Sequence, residues 1–237
     1  MVSHSAPICP PRRRHAALAG PLAFAVAVLM AWASAAAAGT LAGQVRISEL
    51  VLGQPRDSDD QSNAVIFVSG FQAAPAGGRQ LELAQENKSF HKRVLAITQG
   101  EAVTFPNLDK IHHNVWSQSK PKSFDLGLYK FPEVRSVTFE RPGIVTVFCN
   151  IHPQMISTIL VLPNNQYAVT DKSGAFRIEN VPDGELPVYA WVEGATPAKQ
   201  MAVFRPGETV TLEFKLTSQR IPVRHLNKEG KPYREDY

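Results

Sequence analysis

The sequence has 237 residues, of which 44% are hydrophobic, and this is enough for one large β domain or two small domains with their own cores. Such a composition excludes wholesale disorder. Lys and Arg exceed Asp and Glu by 25 to 21, but Arg12, Arg13 and Arg14 lie in an N-terminal segment that we expect to be removed. The remaining chain is nearly neutral, which excludes the dense basic surface that nucleic-acid binding requires.

Residues 1–38 have the order of regions that is typical of a secretory signal peptide. Three arginines precede an apolar run over 16–33, and small residues follow it. Ala36-x-Ala38 before Gly39 is one candidate cleavage point, and Ala33-x-Ala35 is another. We therefore expect a periplasmic or secreted protein that is free of the membrane after cleavage; the alternative is an uncleaved anchor, for which the apolar run is barely long enough.

Removal of this segment also changes the cysteine inventory. Of the two cysteines in the sequence, Cys9 lies in the signal segment and Cys149 in the mature chain. A single cysteine permits no internal disulfide. A lone thiol in an oxidising compartment is open to oxidation unless it has a task, so Cys149 is a candidate functional residue.

The mature chain reads as β structure nearly throughout, and we find no convincing helix in it. Apolar β-formers alternate with polar residues in "TVTLEFKL" over 209–216, and Gly/Pro turn signals recur at short intervals. This pattern predicts an all-β protein built from sandwiches or small barrels. Residues 54–63 and 72–79 read as polar or Gly/Pro-rich loops, and 219–237 as a charged, poorly ordered tail.

The stretch "FCNIHPQM" over 148–155 brings together three side chains that bind soft metals. Cys149 ends an apolar strand, and His152 and Met155 follow at three-residue steps before a second apolar strand begins. Upstream stand His112 and His113, just before another strand. A Cys with two His and a weak axial Met is a typical blue-copper ligand set. Structural zinc, thiol catalysis and simple core packing are the alternatives.

Two longer stretches carry a family resemblance, "LELAQENKSFHKRVLAITQGEAVTFPNLDKIHHNVWS" and "SVTFERPGIVTVFCNIHPQM". They make residues 79–163 resemble a cupredoxin, in particular an amicyanin with its short C-x2-H-x2-M loop. "FDLGLY" over 124–129 resembles instead the cupredoxin-type methylamine utilization proteins. The resemblance implies a Greek-key β-sandwich that binds type 1 copper, Cu(I)/Cu(II), through His113, Cys149, His152 and axial Met155. It also implies that Asn114 ties the two ligand segments together by hydrogen bonds.

The flanks resemble a different family. "YAVTDKSGAFRIENVPDGELPVYAWVEG" over 167–194 is similar to the carboxypeptidase regulatory-like, or prealbumin-like, β-sandwich, and "GQV" and "NAV" before the copper region match its first strands. The resemblance implies that 39–78 and 164–218 form one sandwich and that 79–163 is inserted into it as a separate copper lobe. We therefore expect residues 41–71 to pair with strands of 167–217; two domains in series are the alternative.

The resemblance implies a one-electron carrier rather than an enzyme. Its partner would be a dehydrogenase or a c-type cytochrome. The implied docking surface is formed by Ile151, Pro153, Gln154 and Ile156. Candidate charges at its rim are Lys120, Lys122 and Lys130. A copper-delivery protein, with His91, His112 and His225 as spare ligands, is one alternative; a structural or glycan-binding β protein with an accessory copper domain is another.

Overall fold

A computed structural model describes Met1 and residues 38–73, 77–219 and 225–233. The secondary structure in these ranges is β without helices, which confirms the predicted fold class. The signal peptide predicted over 1–38 lies almost wholly outside the described residues. Within them, no helix is long and apolar enough to cross a membrane.

The strands have short to medium lengths, as expected for sandwiches with frequent turns. In chain order they are β1 (Gly39–Val51), β2 (Gln54–Asp57), β3 (Val65–Val68), β4 (Leu81–Glu82), β5 (Gln85–Glu86), β6 (Ser89–Phe90), β7 (Val94–Thr98), β8 (Ala102–Pro106), β9 (His113–Ser119), β10 (Lys122–Tyr129), β11 (Val134–Thr138), β12 (Gly143–Phe148), β13 (Ile156–Leu162), β14 (Tyr167–Val169), β15 (Ala175–Val181), β16 (Gly184–Trp191), β17 (Ala198–Phe204) and β18 (Thr209–Ser218).

The first sandwich, which we call the copper lobe, is built from residues 79–163. One sheet has the order β10-β9-β12-β13-β7 and the other β11-β8-β4. Apolar side chains of both sheets meet in one buried cluster, and this cluster includes Cys149 and Met155. The candidate ligands therefore lie at one end of a packed core.

The second sandwich, which we call the flanking sandwich, is built from both ends of the described chain. Its sheets have the orders β15-β1-β18, with β2 paired to β1, and β14-β3-β16-β17. Strand β1 pairs with β18 in parallel, and β3 pairs with β16 antiparallel. Val45 packs in one cluster with Phe176 and Val188. Residues 41–71 therefore pair with strands of 167–217 as expected, while the assignment of this sandwich to the prealbumin-like family stays a prediction.

The two sandwiches share a third apolar cluster. Leu95 and Ile97 of β7 point into the copper lobe, whereas Val94 and Ala96 point the other way and pack with Trp191 of β16. Both faces of β7 are thus buried. The N–H of Ala73, in the segment that leads into the copper lobe, donates to the carbonyl of Pro163, the last residue of the lobe, at 3.5 Å. The copper lobe has its own core, and the flanking sandwich covers its outer face at β7 and β13.

Candidate metal centre

A tight loop between β12 and β13 carries three of the four candidate ligands. The pairing of β12 with β13 ends at Phe148 and Ile156. The N–H of Cys149 then donates to the carbonyl of Met155 at 3.1 Å, and the N–H of Met155 to that of His152 at 3.0 Å. These bonds place Cys149, His152 and Met155, which are three residues apart in the sequence, on the face of the loop that is turned toward β9.

The structure brings His113, Cys149 and His152 together. Their ligand atoms all lie within 4.8 Å of one another. The Nδ1 atoms of His113 and His152 are 3.0 Å apart, and Cys149 Sγ is 3.7 Å from His152 Nδ1. His113 and Cys149 are fully buried, and His152 is 6% exposed. The adjacent His112 is exposed and lies outside this group.

The donor set fits one copper ion. Two atoms bound at about 2.1 Å from a metal ion lie roughly 3 to 4 Å apart, and the 3.0 Å and 3.7 Å distances from His152 Nδ1 to the other two ligands fall in this range. Imidazole and thiolate are ligands that copper prefers, and a three-ligand group of this kind leaves room for a weak axial donor. Among the described residues, this is the one group of three or more His, Cys, Asp or Glu with such geometry.

The environment favours the charged thiolate. Burial by itself raises the pKa of the Cys149 thiol, but hydrogen bonds from His113 and from backbone N–H groups, including that of Asn114, lower this pKa below its usual value. Burial lowers the pKa of His113, yet hydrogen bonds to Cys149 and Asp109 outweigh it, so that this pKa is raised. Burial and the charge on His113 both lower the pKa of His152, which keeps it neutral and able to bind a metal.

Met155 and Asn114 occupy different surroundings. Met155 is fully buried in the same apolar cluster as Cys149, and its role as an axial ligand stays a prediction. The backbone N–H of Asn114 contributes to the lowered pKa of the Cys149 thiol. Its side-chain amide points away and donates to Asp125 Oδ1 at 2.7 Å within the β9–β10 hairpin. The side chain of Asn114 is thus bonded within the hairpin, and its role as a tie between the two ligand segments stays a prediction.

The residues of the implied docking surface do not share one exposed patch. Pro153 and Gln154 are exposed at the tip of the ligand loop. Ile151 is half-buried and packs against the core of the copper lobe. Ile156 lines a 740 Å³ cavity together with Arg93. The accessible part of this surface is thus the Pro153–Gln154 tip.

Two of the three rim lysines lie at the wrong end of the lobe. Lys120 and Lys122 flank the turn between β9 and β10, and Pro121 of this turn contacts Gly143 at the start of β12. Cys149 is six residue steps along the strand from Gly143, and at about 3.3 Å per step this is roughly 20 Å. Lys122 moreover pairs with Glu140 at 3.0 Å. The sequence does not reveal this distance. Lys120 and Lys122 follow His113 closely along the chain, but β9 runs away from the ligands before it reaches the turn.

The loop before β9 contributes a residue that the sequence analysis missed. Asp109 Oδ2 lies 2.7 Å from His113 Nε2, on the far side of the ring from the other ligands. Asn107 shapes this loop, because its side chain donates to the carbonyls of Ile111 and Tyr129 and accepts from the N–H of Asp109. An acid four residues before a ligand histidine was the available signal, although Asp in a loop usually faces solvent.

The C-terminal segment is a second feature that the sequence analysis misjudged. Residues 225–233 lie against the ligand loop, where the hydroxyl of Tyr233 donates to the carbonyl of Cys149 at 2.8 Å and His225 Nε2 lies 2.9 Å from the carbonyl of Pro153. The predicted disorder is wrong for this part of the tail, because these bonds fix it. His91 pairs with Glu86 at 2.5 Å, so the spare histidines do not join the metal group.

No protein-family model matches this sequence. Among curated proteins, amicyanin-alpha of Methylorubrum extorquens is 31% identical over 93 residues, which cover 38% of this chain and 76% of the relative. Among solved structures, similarity extends to a purple cupredoxin of Nitrosopumilus maritimus (TM-score 0.32, 20% identity, 35% of this chain and 100% of that chain). It also extends to the copper-containing nitrite reductase of Thermus scotoductus (TM-score 0.35, 24% identity, 40% of this chain), of which this chain covers only 25%.

The curated relative is covered over three quarters of its length at 31% identity. The match is confined to little more than a third of this chain. The chain belongs to the cupredoxin-like family that includes amicyanin.

Proposed function

We propose that this chain is a type 1 copper protein that carries single electrons between redox partners in the periplasm. The observation that supports it best is the buried group of His113, Cys149 and His152, with ligand atoms within 4.8 Å of one another. Copper held there, with Met155 as the axial ligand, would supply a Cu(I)/Cu(II) couple. The periplasmic location rests on the predicted signal peptide over 1–38.

The burial of the ligands favours electron transfer over catalysis. A substrate that binds a metal needs an open coordination position, and His113 and Cys149 are fully enclosed. Backbone hydrogen bonds within the β12–β13 loop hold the ligand residues in place, which limits the rearrangement on a change of charge. The slightly exposed edge of His152 is the shortest route for an electron to the surface.

Exposed apolar residues near the site offer a docking surface for a redox protein. Leu108, Ile111 and Phe131 are 42 to 53% exposed, and the N–H of Phe131 donates to the carbonyl of Asp109 beside His113. Lys110 and Lys130 are exposed next to them. This basic rim suits a dehydrogenase or c-type cytochrome with an acidic face, and such contacts are small and short-lived.

The domain arrangement is part of the same proposal. Residues 79–163 form the inserted copper domain, residues 39–78 and 164–218 the prealbumin-like sandwich, and 219–237 the tail. The parallel pairing of β1 with β18 and the contact between Ala73 and Pro163 support the insertion.

Titration with Cu(II) tests the proposal directly. The purified chain should bind one copper ion and turn intensely blue or green through thiolate-to-copper charge transfer, and voltammetry should show a reversible one-electron wave. A colourless copper complex would contradict type 1 copper. Transfer of copper to a metal-free acceptor without a reversible wave would favour delivery instead, and turnover of nitrite would favour an enzyme.

A further inference from the structure

Asp109 is the acidic residue that contacts the metal group from behind. Its carboxylate lies 2.7 Å from His113 Nε2 and also accepts the backbone N–H groups of Asn87 at 2.9 Å and Lys88 at 3.0 Å. Asn87 and Lys88 both have positive φ angles, of 54° and 53°, which turn their N–H groups toward Asp109. The carboxylate is therefore fixed by the backbone before any metal binds.

This contact selects which nitrogen of His113 is free. A carboxylate only accepts hydrogen bonds, so the proton of the ring lies on Nε2. Nδ1 is then the metal-binding atom, and it is the atom that lies 3.0 Å from His152 Nδ1. Carboxylate partners of metal-bound histidines fix the ring and raise the basicity of the ligand.

We infer that Asp109 is a positioning residue for copper, an inference that rests on the proposed function. It holds His113 with Nδ1 toward the metal, and its negative charge favours Cu(II) over Cu(I). Lys110 follows Asp109 in the sequence and the backbone of Lys88 contacts it, but both lysines are exposed, whereas the side chain of Asp109 is only 17% exposed. Solvent therefore screens the lysines more than the carboxylate.

Asp109→Asn removes the negative charge and keeps the shape of the side chain, so it tests the effect of the charge on the copper ion. We expect the affinity for Cu(II) to fall while that for Cu(I) is unchanged. A tenfold fall raises the reduction potential by about 59 mV. Asp109→Ala also removes the contact and should weaken Cu(II) binding about 10- to 100-fold. Asp183→Asn, an exposed acid of the flanking sandwich, is the control with the same charge change. Equal potentials in Asp109→Asn and Asp183→Asn would overturn the inference.

A second measurement needs no copper. NMR of the metal-free chain should show a slowly exchanging Nε2–H proton on His113, and Asp109→Ala should lose its protection. An unprotonated Nε2 in the unaltered chain would contradict the inference. This result stands even if the chain binds no copper, so a failure of the proposed function can be told apart from a failure of this inference.

The C-terminal segment 225–233 carries a second, independent inference. Besides the bond from Tyr233 to Cys149, the N–H of Lys228 donates to Asn150 Oδ1 at 2.8 Å. Lys228 Nζ donates to Asp125 Oδ2 at 2.7 Å, and the other oxygen of Asp125 accepts the amide of Asn114. The segment thus contacts both the ligand loop and the hairpin that begins at His113.

We propose that residues 225–233 form a strap that restrains the ligand loop and closes its Asn150 side to solvent and to partners. The strap leaves the Pro153–Gln154 tip exposed. Stacking supports its position, because the ring of His225 lies 4.3 Å from that of Phe148 at the end of β12. If the loop is restrained, the ligand residues keep the same positions in the copper-free and the copper-bound protein.

The double variant Tyr233→Phe with Lys228→Met tests the strap in the full-length chain. Amide hydrogens of residues 150–155 should exchange about tenfold faster, with or without copper, because one hydrogen bond to the ligand loop and one to the adjoining β9–β10 hairpin are lost. Copper loss to a chelator should accelerate as well. Lys215→Met on β18 is the control and should change neither rate. Unchanged exchange at 150–155 in the double variant would overturn the strap.

Discussion

The two sandwiches have the same secondary structure but very different interiors. The core of the flanking sandwich consists of aliphatic and aromatic side chains, such as Leu41, Val188 and Phe214. The copper lobe buries Cys149 and Met155 in its core and most of the buried polar residues of the described chain around it. A β-sandwich can therefore carry a candidate metal centre when a few positions at one end of its core hold ligand residues. The rest of the core can still consist of aliphatic and aromatic side chains.

The largest expected effect comes from Cys149→Ser, a change that acts on the copper lobe alone. Cys149→Ser removes the soft thiolate, so the charge-transfer band should disappear and copper should bind far more weakly. The flanking sandwich contributes nothing to this band. Visible absorption and copper titration measure the loss, and thermal unfolding of the metal-free variant should stay close to that of the parent. A variant that keeps its colour would place the thiolate ligand elsewhere.

The adjacent residues His112 and His113 allow a buried and an exposed histidine to be compared within one loop. His113→Ala should abolish the type 1 spectrum, because its buried Nδ1 lies beside His152. His112→Ala should leave the spectrum nearly unchanged, since its side chain is exposed. Electron paramagnetic resonance of the two copper-loaded variants checks this. The reverse outcome would show that the register of β9 is wrong.

A core truncation in the flanking sandwich should affect stability and not metal binding. Phe214 is 1% exposed, and Phe214→Ala should lower the free energy of unfolding by about 3 to 5 kcal/mol. Copper affinity and colour at low temperature should be retained. Chemical denaturation with parallel absorption measurements tests both statements. Loss of colour in the folded variant would mean that the shared cluster around Trp191 couples the two sandwiches more strongly than the comparison assumes.

The smallest expected effect concerns Met155. A thioether on a long axial bond tunes copper more than it holds it, so Met155→Leu should keep copper and colour. The reduction potential should rise, because a donor that favours Cu(II) is gone. Voltammetry of the variant against the parent measures the shift. Complete loss of copper would make Met155 an essential ligand and the centre a different type.

The sequence was informative wherever chemistry and periodicity coincide. Cys149, His152 and Met155 are recognisable because soft ligands are rare and here recur at a fixed step between two strands. Alternation in 209–216 likewise predicted β18. Asp109 and Tyr233 were not recognisable, because an acid in a loop and an aromatic residue in a charged tail are ordinary at those places. Their roles depend on contacts between segments that are distant along the chain, which no local pattern records.

The pairing of β1 with β18 has a consequence for the order in which the protein acquires its structure. Thr40 lies opposite Thr209 and Glu49 opposite Ser218, so the first described strand has its partner near the end of the described chain. The copper lobe has all its strands by Leu162. During synthesis, which proceeds from the N-terminus, β1 must wait for β18, and contacts of such long sequence separation form slowly. The ligand loop can therefore close before the flanking sandwich is complete, and β1 needs protection from wrong partners in the interval.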